Sequence, residues 1–109
     1  MFENEEVGAV NLAALIGEVA SAVEPPEGEV VRFSIAVLGR LGEPREVFHV
    51  QAAGAQAVAC RRFLRPGHRV AIEGRVVPGA EPTEIEAERV QFLTTRAQAE
   101  SMRRDMEVA

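Results

Sequence analysis

All twelve basic residues of this chain are arginines, and eight of them (Arg32, Arg40, Arg45, Arg61, Arg62, Arg65, Arg69 and Arg75) lie between residues 30 and 75. That block holds only Glu43, Glu46 and Glu73 in opposition, for a charge of +5. Residues 1–29 carry seven Glu and no Arg, and residues 76–109 carry four Arg against six Glu and Asp105, so a net charge of −5 conceals a basic middle between acidic ends. A cluster of guanidinium groups suits anions: its planar fork of donors fits phosphate, and its flat face stacks on rings. The competing reading of the same block is a solvated surface of mixed charge. Other chemistry is poorly provided for. His49 and His68 stand far apart with no third ligand at metal spacing. Cys60 shares helical spacing with Ala57 and Leu64, the pattern of a buried small apolar residue rather than a reactive thiol. Glu84, Glu86 and Glu88 alternate as solvent-facing strand positions do, which is no evidence for acid/base work. No nucleophile elbow, P-loop or dinucleotide fingerprint is present, because the glycines lack the strand-to-helix placement those motifs need. The sequence points to no enzyme, no metal and no cofactor.

The elements that must position these arginines fit one domain. The chain has 109 residues, 47% hydrophobic and 27% charged, enough for a single compact core. No apolar run approaches the roughly 20 residues of a membrane helix. The acidic start, MFENEEVG, is unlike the basic n-region of a secretion signal, so a cytoplasmic protein with no membrane attachment is expected. One cysteine excludes an internal disulfide framework. The aromatic set is unusual: five Phe, no Tyr and no Trp.

Breakers recur at regular intervals, at Pro25-Pro26-Glu27-Gly28, Gly39 through Pro44, Pro66-Gly67 and Pro78 through Pro82. Between them, Val31, Phe33, Ile35 and Val37 alternate with Arg32, Ser34 and Ala36, and Phe48, Val50 and Ala52 alternate with Val47, His49, Gln51 and Ala53. A period of two marks half-buried strands. From Gly54 to Leu64 the period becomes helical, with Ala57, Cys60, Phe63 and Leu64 forming the packed stripe. Arg69 to Val76 returns to strand, with Val70, Ile72, Gly74 and Val76 facing one way. In Thr83 to Leu93, Ile85 and Ala87 share a face before Val90 and Phe92 take over, a slip in phase that predicts a bulge near Glu88-Arg89. Val10 to Ala22 is an apolar run that Gly17 lets bend. Ala97 to Met106 predicts a short helix with Ala99, Met102 and Met106 on one side. The order is three strands, a helix and two strands, that of an all-β, five-stranded OB-fold barrel with one helix between strands 3 and 4, plus a short C-terminal helix. Residues 1–9 form an acidic N-terminal segment, 10–93 the OB-fold domain and 94–109 a C-terminal helical tail.

In order along the chain, Asn11-Leu12-Ala13-Ala14-Leu15-Ile16-Gly17, Val31-Arg32-Phe33-Ser34-Ile35-Ala36-Val37, Val50-Gln51-Ala52-Ala53-Gly54, Phe63-Leu64-Arg65-Pro66-Gly67, Val70-Ala71-Ile72-Glu73-Gly74-Arg75-Val76 and Val90-Gln91-Phe92-Leu93 resemble successive blocks of the bacterial single-stranded DNA-binding protein family (SSB). The resemblance runs from about residue 10 to 93. It implies an OB barrel, a homodimer or homotetramer, sequence-independent binding of single-stranded DNA, and a setting in DNA replication and repair, whose proteins are the further partners it suggests.

The departures fall on the binding chemistry. Strand binders of this kind stack bases on aromatic rings and track the backbone with basic groups. The family's outward aromatics on the third strand fall here on Val47 and Ala53, and the two hairpin turns are short and carry no ring. Phe33 and Phe48 belong with the core set, Phe63 with the packed face of the helix and Phe92 with the closing strand, leaving Phe2 alone without a burial site. Stacking contributes about 1–3 kcal/mol per base, so losing two platforms costs roughly 2–6 kcal/mol. Where the family carries a flexible tail with an acidic tip, Ala97 to Met106 reads instead as a short helix, so the tail's recruiting role is not expected here. The expected DNA-binding set is therefore Arg32, His49, Gln51 and Arg75, projecting opposite the core, with Arg40 and Arg45 beside the second turn. The alternative for each arginine is pairing with Glu43, Glu46, Glu73 or a partner chain. Arg61, Arg62 and Arg65, on the helix, are expected to face solvent away from that surface. Two functions follow: a strand binder relying on arginine more than on stacking, or an SSB-like interaction module, a replication accessory or paralogue partner, with weakened or lost DNA binding.

Overall fold

A computed structural model describes residues 11–37, 39 and 45–108. The strands β1 (Ala13–Val19), β2 (Val30–Val37), β3 (Glu46–Ala53), β4 (Arg69–Val76) and β5 (Glu84–Phe92) close into a barrel in the order β1-β2-β3-β5-β4. Helix α1 (Gly54–Phe63) links β3 to β4, and α2 (Arg96–Val108) follows β5. This is the OB-fold that the element order predicts. The β3–β5 pairing is parallel and the other four pairings are antiparallel.

Period-two patterning builds the core. Across β2 and β3, Val31 lies opposite Ala52, Phe33 opposite Val50 and Ile35 opposite Phe48. Their side chains meet Val70 and Ile72 of β4, Ile85 of β5 and Val19 of β1 in one buried cluster. At roughly 1.5–3 kcal/mol for each fully buried Val, Leu or Ile, this cluster is what holds the barrel closed.

The chain passes from β3 into α1 without a loop. Gly54, at φ 64°, takes a left-handed conformation that lets a strand turn at once into a helix. Ala57, Cys60 and Leu64 then seal the core. The expected stripe fails at Phe63, which is 55% exposed. Phe63 is the last helical residue, and Leu64 beyond it adopts an extended conformation that carries its own side chain inward instead. Val76 and Met106, also expected on packed faces, are 37% and 77% exposed, because β4 ends at Val76 and the outer half of α2 runs beyond the barrel wall.

Burial pushes the Cys60 thiol up to about 11. Thiol reagents attack the thiolate, so at about pH 8 reaction of the native protein should be slower than that of an ordinary cysteine by on the order of 100-fold. Ellman's reagent should leave the folded protein unmodified and label it on unfolding in guanidinium; prompt labelling of the native state would contradict this placement.

The phase slip in β5 is a bulge. Glu73 pairs with Arg89 and Gly74 with Ala87, leaving Glu88 without an opposite residue. Gln56 of α1 holds it, donating from Nε2 to the Glu88 carbonyl at 2.5 Å and accepting from the Val90 amide through Oε1. Beyond β5, Thr95 Oγ1 accepts from the Gln98 amide at 3.1 Å while Gln98 Oε1 accepts from the Thr95 amide at 2.9 Å. This reciprocal capping box starts α2 at Arg96, one residue before the expected Ala97.

Candidate functional site

The outward positions of four neighbouring strands place polar side chains in a row. Arg32 of β2 lies opposite Gln51 of β3, Gln51 opposite Glu86 of β5, and Glu86 opposite Arg75 of β4. At about 4.8 Å between strands, the row spans roughly 15 Å. A second row sets His49 between Ser34 and Glu84. Arg32, His49, Gln51 and Arg75 therefore share one face. Arg45 does not join them: it precedes β3, about 20 Å along the strand from Gln51, and its Nη1 meets Glu18 of β1 at 3.1 Å. Arg40 lies outside the described residues, as do residues 1–10 and most of the Gly39–Arg45 turn.

The face is neutralised from within. Arg32 Nη1 lies 2.6 Å from Glu27 Oε1, and its Nε 4.0 Å from Glu84 Oε2. Gln51 Nε2 donates to the same Glu84 oxygen at 2.7 Å, and Arg75 Nη2 lies 2.7 Å from Glu86 Oε1. The Glu86 carboxylate, by its hydrogen bond and its charge, raises the Arg75 guanidinium above its ordinary value. Of the expected partners, Glu46 and Glu73 are not these carboxylates and Glu43 lies outside the described residues; Glu73 instead lies 4.0 Å from Arg89. The alternating Glu84 and Glu86 are thus not a merely solvated row. With Glu27 they are the counterions of the arginine set: Glu86 meets Arg75 across the antiparallel β4–β5 hairpin, and Glu84 reaches Arg32 and Gln51 through the parallel β3–β5 pairing, a long-range register that no local pattern reveals. These pairs are largely exposed, and ion pairs in such settings are weak enough for a competing anion to replace the carboxylate.

Val47, 48% exposed, and Ala53 face outward as expected, and among the described residues this face carries no aromatic ring. The exposed rings lie elsewhere. Phe63 of α1 and Phe92 of β5, 55% and 38% exposed, meet edge to face with centroids 6.3 Å apart, and the Arg62 guanidinium lies 5.5 Å from the centre of the Phe63 ring. Nearby His68 is held below its ordinary value, first by burial and then by the charge of Arg65. The available signal for this second patch was the position of Phe63 at the helix end, just before Leu64-Arg65-Pro66-Gly67.

Among the described residues, no group of three or more His, Cys, Asp or Glu side chains is arranged to hold a metal ion, and no helix is long and apolar enough to cross a membrane.

No family model matches this sequence, and no curated protein matches it either. Solved structures do match. A small single-stranded DNA-binding protein from Streptomyces coelicolor superposes with a TM-score of 0.67 at 22% identity, over 78% of this chain and 95% of that one. The SSB domain of a Synechococcus sp. protein gives 0.68 at 21% identity, over 77% and 97%. Rim1, a mitochondrial single-stranded DNA-binding protein of S. cerevisiae, gives 0.64 at 16% identity, over 75% and 92%. This chain has the barrel fold of those proteins.

Proposed function

We propose that this chain is a divergent member of the SSB family, a small single-stranded DNA-binding protein that holds a strand, without reading its sequence, across the outward face of β2, β3, β5 and β4. The observation that carries the reading is the extent of the shared fold. The S. coelicolor and Synechococcus chains are matched over 95% and 97% of their lengths, so the shared barrel makes up nearly the whole of both. On this barrel, Arg32, Gln51 and Arg75 supply donors in one row, with His49 beside them. Phosphates replace the carboxylates of Glu27, Glu84 and Glu86 as partners of the arginines. With no ring on the face, binding is chiefly electrostatic, and no catalytic step is involved.

A second copy of the chain is part of the reading. Among the described residues, β1 pairs with β4 from Ala13 to Glu18 and with β2 at Glu18 and Val19. Leu12, just before β1, and Ile16 within it are 72% and 57% exposed. Exposed apolar side chains this large favour a homodimer or a homotetramer. The reading carries with it a cytoplasmic location and contact with replication or repair proteins, where single strands arise.

The test is fluorescence anisotropy of a labelled thymine oligomer across a salt series. Micromolar or tighter binding is expected, with log affinity falling linearly against log salt. Arg32→Gln and Arg75→Gln should each make that slope shallower, by about 0.7 for every phosphate no longer neutralised. Absence of binding at low salt would reject the reading. It would favour the interaction module instead, which the neutralised, ringless face supports.

A further inference from the structure

Phe63 and Phe92 are the two exposed rings among the described residues, and the core closes without them, through Ala57, Cys60 and Leu64. Phe63 opens on a cleft of about 600 Å³ between the end of α1 and α2. Four arginines line it (Arg62, Arg65, Arg96 and Arg103) against Glu100 as the one carboxylate. Among the described residues, none of these arginines forms an ion pair, whereas Arg32 and Arg75 on the strand face both do. Among the described residues, cationic groups without an ion-pair partner and exposed rings meet here, where Arg62 already approaches the Phe63 ring. Binding of a single strand combines these two features: rings on which bases stack and a basic lining that follows the phosphates. The site lies beyond the strand face at the end of β5, where Phe92 stands in register opposite the core residue Val70. Phe92 lies six residues along β5 from Glu86, roughly 20 Å away.

We propose that the Phe63–Phe92 pair, with Arg62, Arg96 and Arg103, is a second contact for single-stranded DNA, where a base stacks on the rings and the flanking phosphates meet the arginines. The proposal deepens the functional reading above and rests on it. The alternative occupant of a basic, partly apolar cleft is an acidic peptide. The rings favour DNA, because two adjacent exposed aromatics offer a stacking surface that every base can use.

The chain contains neither Trp nor Tyr, so Phe63→Trp introduces a lone emitter at the site. Phe92→Trp provides a second position should the first variant misfold. Saturating thymine oligomer, with binding followed independently by anisotropy of a labelled strand, should quench most of the emission. Phe63→Ala should weaken affinity roughly 5- to 140-fold, the loss of one stacked base, with the thermal midpoint little changed. If the oligomer binds by anisotropy but leaves the emission unaltered, the second contact is rejected and the strand-face reading stands. Quenching by an Asp- and Phe-containing peptide but not by the oligomer also rejects it, in favour of a protein partner. If the labelled strand fails to bind the wild-type protein, the functional reading fails and this proposal fails with it.

Discussion

Replacing Gly74 with alanine is expected to destabilise the protein by about 3 kcal/mol, although it adds a single methyl group. Gly→Ala at a compatible site ordinarily stabilises, by restricting the unfolded chain, so the sign of the change is diagnostic. At Gly74 the new methyl would overlap the carbonyl oxygen of Glu86 and lie 2.9 Å from Cα of Ala87. Both obstacles are backbone of the neighbouring strand, and neither can swing aside as a flexible side chain would. The close approach arises at the register shift between Glu73 and Gly74, where Glu88 bulges from β5. The bulge thus imposes a requirement for glycine on the facing strand. For a domain of this size the expected loss lowers Tm by roughly 12–24 °C. Thermal unfolding followed by circular dichroism measures it, and an unchanged or raised midpoint would show that β4 and β5 do not cross as closely as described.

The second large effect concerns the carboxylates on the strand face. Glu84→Gln combined with Glu86→Gln keeps the side-chain shapes but removes two negative charges, the partner of Arg75 and the more distant of the two partners of Arg32. In a water-like dielectric, one charge about 4 Å from a phosphate contributes about 1 kcal/mol of repulsion. Two such charges give about 2 kcal/mol, so the affinity for a thymine oligomer at low salt should rise roughly 30-fold. Stability should change little, because the pairs removed are exposed. Anisotropy titration of the double variant beside the wild type reads the difference. Unchanged affinity would mean that the strand does not cross these side chains.

The contrast between the two sites explains what was legible in the sequence. Period-two alternation in Val31–Val37 and Phe48–Ala52 marks inward and outward positions from local pattern alone, and the inward sets are buried or half-buried. The phase slip between Ala87 and Val90 locates the bulge for the same reason. Ion-pair partners are another matter. That Gln51 faces Glu86, and His49 faces Glu84, follows from a parallel pairing between strands separated by a helix and a third strand, whereas Glu86 faces Arg75 across the antiparallel β4–β5 hairpin. Charge totals along the chain count the basic block correctly, yet they cannot show that acidic residues from the C-terminal third fold back onto it. Phe63 departs from the packed stripe because a spacing of three from Cys60 holds only while a helix continues. Leu64, extended at the helix end, takes the inward position instead.

The functional reading stands or falls on whether a single strand lies across the row Arg32, Gln51, Glu86 and Arg75. A titration of isotope-labelled protein with a thymine oligomer, followed through backbone amide shifts by NMR, locates the strand without recourse to variants. The largest shifts are expected to cluster on β2, β3, β4 and β5 around that row. Saturation with the row unmoved would contradict the reading.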